Sequence, residues 1–392
     1  MQEFDVICGV DVGKGFHHLY ALSKDGRLLI NKPLPQCEHT LVEAFSSLLS
    51  EGSVLVVVDQ PNNIGSLTVI CARKAGCHVS YLPGLAMRRA AGILPGDAKT
   101  DAIDAYVICM TSKCLPQSLR VLPPADELRA GLSALIAHDD DCRCDLNREI
   151  NRLRAHLVEC HPAFERALGG NVKSPFVLRL LQKYGGPWAI RKAGRGKVMK
   201  WAGTQKRVPR ELLARLLDAI WEMTEAPPGA ALREEVVLPA IARRIGELVK
   251  ARDVVECRLE EMLCCEPLFL ALKSMPGVGT KTAVAFIVHV NISDFPSVDR
   301  LASYAGLAPR TCQSGSSIKG ESASKIGNRA LKNALFLSAF ASLRSDPLAK
   351  EYYDKKRAEG KSHNASIICL ARRRLKVMYA IARDLRPFRP AA

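Results

Sequence analysis

Two apolar runs in the first sixty residues each end on a carboxylate. Val6–Val10 is followed by Asp11, and Val54–Val58 by Asp59. Runs of this length read as short buried strands. An aspartate cannot follow such a strand into the core unpaired, so each acid marks an element end. A third segment, KTDAIDAYVIC, opens a predicted helix with Asp101 and Asp104. Strand and helix termini converge at one edge of a sheet, which is where sites are built. Each acid also has an ordinary reading: strand-end turn former, helix N-cap, first-turn acid. All four together point further. Clustered carboxylates repel one another unless a cation shares them, and hard oxygen ligands suit Mg²⁺, with Mn²⁺ as the alternative ion.

The order of the elements constrains the fold. Phe4–Val10, Phe16–Leu22 and Arg27–Asn31 read as strands, broken at Gly13 and at Lys24-Asp25-Gly26, whose Asp-Gly pair signals a hairpin. Residues 38–50 read as a helix with Leu41, Phe45, Leu48 and Leu49 inward. A strand over Val54–Asp59, a helix over Ile64–Lys74, a strand over Val79–Leu82 and a helix over Asp101–Lys113 follow. The series βββαβαβα describes an α/β domain of the ribonuclease-H or RuvC-like nuclease type. There the first carboxylate lies on the first strand, the second ends the fourth, and the last sit on a later helix.

The chain has 392 residues, enough for two or three domains. No apolar run approaches the length of about 18 residues that spans a bilayer, and the first residues lack a basic signal-peptide region. A cytosolic protein with no membrane partner is expected. The 14 cysteines include no CxxC pair, so reduced, mostly buried thiols are expected. Net charge is +16, unevenly spread: residues 1–120 hold 11 basic and 11 acidic side chains, and residues 267–392 hold 21 and 8. A basic C-terminal third implies a polyanion partner, because each phosphate neutralised releases counterions.

Three domains are expected: residues 1–122 with the acids, a helical coiled-coil linker over 123–266 with an inserted basic segment, and a mostly helical domain over 267–392. In the linker, Leu128, Leu132, Leu135, Cys142, Leu146, Leu153 and Leu157 keep a 3-4 spacing. So do Leu238, Ile241, Ile245, Leu248, Arg252, Val255, Leu259 and Met262, with Arg252 at one heptad position. A pairing of such helices can form within one chain or between two. The basic run Arg191–Arg210 between them reads as a nucleic-acid contact or a mobile loop. In the last domain, Pro276-Gly277-Val278-Gly279 between two helical stretches resembles a helix-hairpin-helix, in which Gly277, Gly279 and Lys281 would meet a phosphate. Cys312–Lys325, dense in Ser, Gly and Lys, reads as a polar loop or an active-site loop. It places a serine among Arg310, Lys319, Lys325 and Arg329, which could polarise a phosphate.

The chain resembles the transposases of insertion-sequence family one hundred and ten, the bridge-RNA-guided recombinases. GVDVGK, VVVDQP and KTDAIDA match the three blocks of the family's DEDD domain; SPFVLRLLQKYGGP matches its linker motif; MPGVGTKTA, YAGLAPRTCQSG and SASKIGNRALKNAL match its C-terminal domain. The resemblance covers nearly the whole chain. It implies Mg²⁺ held by Asp11, Asp59, Asp101 and Asp104. It also implies a serine nucleophile, Ser314 by motif position, that attacks the scissile phosphate and forms a phosphoserine link to DNA. Donor and target DNA, a structured guide RNA and a homo-oligomer, dimer or tetramer, would be the partners. One position departs from the DEDD pattern: the second acid is Asp59, where many relatives carry the longer Glu. Asp97 lies nearby as a further acid. The alternatives are a junction-resolving endonuclease using metal-activated water, which needs no Ser314, and a non-catalytic nucleic-acid scaffold, which needs none of the aspartates.

Overall fold

The computed structural model describes residues 4–93, 100–122, 126–314, 318–323 and 327–389, the side chains of residue 121 and residues 310–323 excepted. The chain divides into two compact units, Met1–Asp126 and Glu127–Ala392.

The first unit is a sheet with helices. Its strands are β1 (Val6–Val12), β2 (Phe16–Ser23), β3 (Leu28–Pro35), β4 (Val54–Val58), β5 (His78–Tyr81) and the short β6 (Arg120–Val121); its helices are α1 (Glu38–Leu49), α2 (Ser66–Ala75), α3 (Gly84–Ala91) and α4 (Asp101–Cys114). The sheet order is β3-β2-β1-β4-β5-β6. The first three strands form an antiparallel meander; β4 and β5 add in parallel, and β6 closes the edge antiparallel. Every residue of β4 is buried, as a parallel strand covered on both faces requires. The expected Asp-Gly turn closes β2 onto β3. Gly26 stands at φ +89°, and Ser23 N–H donates to the Arg27 carbonyl at 2.9 Å. Two elements escaped the sequence reading. Helix α3 spans only eight residues, none of them fully buried, too short for an apolar period to stand out, and β6 is only two residues long.

The second unit is helical except for one hairpin. It runs α5 (Glu127–Cys160), α6 (Pro162–Leu168), α7 (Pro175–Tyr184), α8 (Pro187–Ala193), α9 (Arg195–Gly203), α10 (Arg210–Ala219), α11 (Ala230–Leu232) and α12 (Leu238–Leu263), then α13 (Pro267–Lys273), α14 (Thr280–His289), α15 (Val298–Tyr304), the strands β7 (Pro309–Ser314) and β8 (Ile318–Ala323), α16 (Arg329–Ser345), α17 (Pro347–Ala358) and α18 (His363–Asp384). The two helices with 3-4 spacing, α5 and α12, pack on each other within the chain. Their apolar stripes serve two separate cores. Leu146, Leu153, Leu157, Leu238, Ile241 and Ile245 join the cluster built with α6, α7 and α10. Leu132, Val255, Leu259 and Leu263 join the cluster of α13–α18.

Where the stripes change allegiance, the seam is ionic. Arg252 donates to both oxygens of Asp139, at 2.9 and 3.1 Å, and Lys281 of α14 donates to the same carboxylate at 2.8 Å. Asp139 is 5% exposed, so an unpaired charge there would be costly. Burial pushes its carboxyl up, but the Arg252 and Lys281 hydrogen bonds outweigh this and hold it below the usual range. The heptad irregularity at Arg252 is therefore half of a buried ion pair.

The basic run Arg191–Arg210 is not a loop: it holds the end of α8, all of α9 and the start of α10. Its YGGP neighbour also finds a structural reason. A single π-helical turn over Arg233–Val237 carries the buried Glu234, which accepts from Trp188 N–H at 2.9 Å and Ala189 N–H at 2.7 Å, the first turn of α8. Gly185 has φ +91°, and a Cβ there would stand 2.1 Å from the Glu234 carbonyl oxygen. The cysteines are less buried than expected. Cys8, Cys71, Cys77, Cys109, Cys142 and Cys160 are interior, whereas Cys37, Cys114, Cys144, Cys257, Cys264 and Cys265 are exposed.

Candidate active site

Two of the acids lie side by side at the C-terminal edge of the sheet. In the parallel register Val10 stands beside Val58, so the next positions, Asp11 and Asp59, are neighbours on adjacent strands. Strand β1 runs two residues past Val10, which places Asp11 inside the strand. Asp59 Oδ1 lies 3.4 Å from the Val12 N–H, a long hydrogen bond that ties the end of β4 to β1. Helix α4 brings the other two acids. Thr100 caps it, its hydroxyl accepting from Ile103 N–H at 3.3 Å, so Asp101 and Asp104 fall in the first turn, where the helix dipole favours negative charge. The helix reaches β1 because residue 9 is glycine: a Cβ there would be 2.4 Å from the Ala105 carbonyl oxygen and 2.5 Å from Cys109 N. Cys109 Sγ donates to the Ile7 carbonyl at 3.3 Å across the same contact.

Electrostatics pick out one pair. Burial raises the Asp59 carboxyl above its ordinary value, and the negative charge of Asp104 pushes it the same way; backbone N–H groups, led by Val12, oppose them. Asp101 is exposed, and Asp97 lies outside the described residues. Among the described residues no three His, Cys, Asp or Glu side chains stand together as a ready metal-holding group. The donor set still fits a hard cation: its donors are carboxylate oxygens, and a half-buried one faces a like charge. Sequence reading passed over His17. It is 1% exposed on β2, opposite Val12 in the register, and its Nδ1 accepts from Gly13 N–H at 3.3 Å while its Nε2 has no hydrogen-bond partner among the described residues. Burial lowers its pKa, which favours the neutral ring. Its sequence signal was weak, a histidine within the doublet His17-His18 of a strand.

In the second unit the serine-bearing segment is a β-hairpin. The expectation of a polar loop gives way because β7 and β8 pair in full register, from Pro309 with Ala323 to Ser314 with Ile318. Ser314 is the last residue of β7, and Lys319 pairs with Gln313 beside it. Arg310 lies on β7 opposite Ser322. Gly315 and Lys325 lie outside the described residues. The hairpin's base is clasped by two of the motifs. Asn328 N–H donates to the Tyr304 carbonyl at 2.7 Å, and its amide donates to the Tyr304 hydroxyl at 3.0 Å. Gly327, at φ +126°, abuts Gly306: a Cβ would come 2.6 Å from Gly306 N. Asn328 also caps α16, accepting from Leu331 N–H at 2.9 Å, and exposed Arg329 opens that helix. Tyr304 and Gly306 of the first motif therefore meet Gly327 and Asn328 of the second.

The Pro276–Gly279 turn does connect two helices, α13 and α14. Gly277 (φ +77°) is spent on an internal contact, since a Cβ would sit 2.7 Å from Ser342 N and 2.8 Å from the Ser338 carbonyl oxygen of α16. Beneath the turn the buried Arg374 donates to the Pro276 carbonyl at 2.5 Å and to Ser338 Oγ at 3.1 Å. Gly279 is exposed with open space around its Cα. Lys281 is engaged by Asp139 and by Glu256, the latter at 3.3 Å.

The first unit is an α/β domain in which a three-stranded antiparallel meander is continued by parallel strands, with Asp11 in its first strand, Asp59 just past its fourth, and Asp101 and Asp104 on a helix packed against the first. Residues 8–162 match a family model described as a transposase, and residues 270–354 match that of the transposase IS116/IS110/IS902 family. A protein of insertion element IS110 from Streptomyces coelicolor is 43% identical over 98% of this chain and 95% of its own length. The chain belongs to the IS110/IS116/IS902 transposase family. A pilin gene-inverting protein of Moraxella bovis is 39% identical over 30% of this chain and 37% of its own. Among solved structures, T. thermophilus RuvC in complex with a Holliday junction substrate aligns at 17% identity and TM-score 0.24, over 30% of this chain and 99% of that one. Among the described residues no helix is long and apolar enough to cross a membrane.

Proposed function

We propose that this transposase cuts and exchanges DNA strands of its own element through a covalent protein–DNA link. Asp11, Asp59, Asp101 and Asp104 would hold Mg²⁺, or Mn²⁺ in its place. When bound, the ion would stabilise charge on the phosphate under attack. The observation that carries this reading is the placement of Asp11 and Asp59 side by side on adjacent strands, with Asp59 half-buried and its ionisation opposed chiefly by burial and also by the charge of Asp104. Such a pair is a cost in a fold unless a cation uses it.

Ser314 would be the nucleophile. Its Oγ attacks phosphorus and gives its proton to water, the phosphodiester oxygen of the cut strand departs and takes up a proton from water, and a phosphoserine ester remains. The ester keeps the bond for rejoining, so a second strand's hydroxyl can displace the serine without an external energy source. Its position at the end of β7, opposite Ile318 in a hairpin whose base is held by Tyr304 and Asn328, supports the assignment. The relatives' names, a pilin gene inverter among them, agree with DNA rearrangement. A structured guide RNA, an assembly of two or four copies and action on nucleoid DNA in a bacterial cytoplasm complete the proposal.

The test is to quench cleavage in denaturant and map the DNA-linked peptide. The adduct is expected on Ser314 and lost in Ser314→Ala, while Ser316→Ala, Ser317→Ala and Ser324→Ala retain it. Normal cleavage by Ser314→Ala without any adduct would replace this mechanism by metal-activated water.

A further inference from the structure

A ring cluster on the second unit plays no part in the acidic site or the hairpin. Phe340 of α16, Tyr353 of α17 and His363 at the start of α18 meet at the surface. The His363 ring lies 6.0 Å from Phe340 at 87° and 5.7 Å from Tyr353 at 76°. Tyr353 Oη and His363 Nδ1 are 2.6 Å apart, which fixes both rings. Phe340 is 44% exposed, and His363 is exposed. Scattered apolar residues on a surface need no explanation, but these rings are held in place and set among cations. Lys350 Nζ stands 5.3 Å from the Tyr353 centroid. Beside it, Tyr352 is faced by Lys356 at 5.5 Å and Arg373 at 4.8 Å. Residues 344–376 carry 10 Lys/Arg against 4 Asp/Glu. Lys350 and Lys356 also meet Asp354 and Glu359, while exposed Lys355 and Lys361 add charge to the same surface.

We propose that this platform binds the unpaired bases of single-stranded DNA. Exposed rings interleaved with cations suit a strand that offers base faces and phosphates together; a duplex hides its base faces, so it can use the lysines but not the rings. The chain's family supplies the occupant, since strands that leave one duplex and join another are unpaired in between. Helix α16 supplies a path. It starts at Arg329, directly after the hairpin, and its exposed positions include Leu337, Phe340 and Arg344. From residue 329 to 340 the helix rises about 17 Å, roughly the span of five stacked nucleotides at 3.4 Å each. The path, but not the binding, rests on Ser314 being the nucleophile.

The experiment measures the affinity of the full chain for a short oligothymidylate, a matched duplex and an oligouridylate by fluorescence anisotropy. Phe340→Leu keeps an apolar side chain but removes the π-face, and it should weaken oligothymidylate binding roughly 5- to 100-fold, the range for loss of one stacked base, with duplex affinity unchanged. Phe340→Trp should bind as wild type, and its indole fluorescence should be quenched by the oligonucleotide. Undiminished oligothymidylate binding by Phe340→Leu overturns the proposal, as does an equal loss on duplex. A loss confined to oligouridylate would assign the surface to RNA and overturn it too. If Phe340→Leu does not fold, an unquenched Phe340→Trp decides against stacking. Retention of the Ser314 adduct while the platform fails would leave the proposed chemistry intact.

Discussion

Replacing Asp139 by Asn tests whether the seam between α5 and α12 is held by charge. The carboxylate receives Arg252 twice and Lys281 once and is nearly closed to water. Asn keeps the shape but leaves two cations without their shared counter-charge. Removing one partner of a buried pair costs about 3–5 kcal/mol. The Arg252 and Lys281 side chains are 24% and 26% exposed, so water recovers part of that, and about 2–4 kcal/mol is expected. The assay is urea unfolding of the full chain at several pH values. The sign follows from the depressed carboxyl. Its stabilisation is present above the unfolded pKa of about 3.9 and is lost as pH falls through the lower, folded value. The gap between wild type and Asp139→Asn should therefore be flat near neutrality and close at acid pH. A cost under about 0.5 kcal/mol at neutral pH, the size of an ordinary surface change, or a gap that persists in acid, would refute the reasoning. The double replacement Asp139→Leu/Arg252→Met should recover part of the loss, because an apolar seam often replaces a buried ion pair without cost.

Asp59→Asn should do the opposite to stability. Asp59 has a raised carboxyl, so its ionised form destabilises the fold at neutral pH and the variant should melt a few degrees higher in EDTA, converging with wild type in acid; Mg²⁺ should raise the wild type alone, and cleavage should be lost. A lower melting temperature in EDTA would contradict the raised carboxyl. Gly9→Ala pushes a methyl into the α4 backbone and should cost about 1–3 kcal/mol together with cleavage activity, read by thermal melting and a nicking assay; a silent substitution would mean α4 is free to shift. Gly327→Ala combines a disfavoured φ with the Gly306 contact, so adduct formation should fall well before DNA affinity does. Equal losses of both would place its effect outside the hairpin base.

Much of the first unit was legible in the chain. Val-rich runs that stop at Asp11 and Asp59 and an Asp-Gly turn are local signals, whereas the α4 cap was misread, since Asp101 also suits an N-cap and Thr100 fills that place. The paired stripes of α5 and α12 were legible too, including the irregular position at Arg252. What that arginine does was not, because Asp139 stands 113 residues away and Lys281 a further 29 beyond Arg252. Glycines show the same division. Gly26 announces a turn by its neighbours, whereas Gly9, Gly277 and Gly327 are dictated by backbones that approach from α4, from α16 and from Gly306. A Ser, Gly and Lys-rich segment reads as a loop because its sequence offers few apolar side chains, and only cross-strand pairing makes it a hairpin. Periodicity, charge and turn chemistry act between near neighbours and are written in the chain. Close backbone approach and the sharing of one carboxylate by distant cations exist only once the chain has folded, and tertiary structure alone decides them.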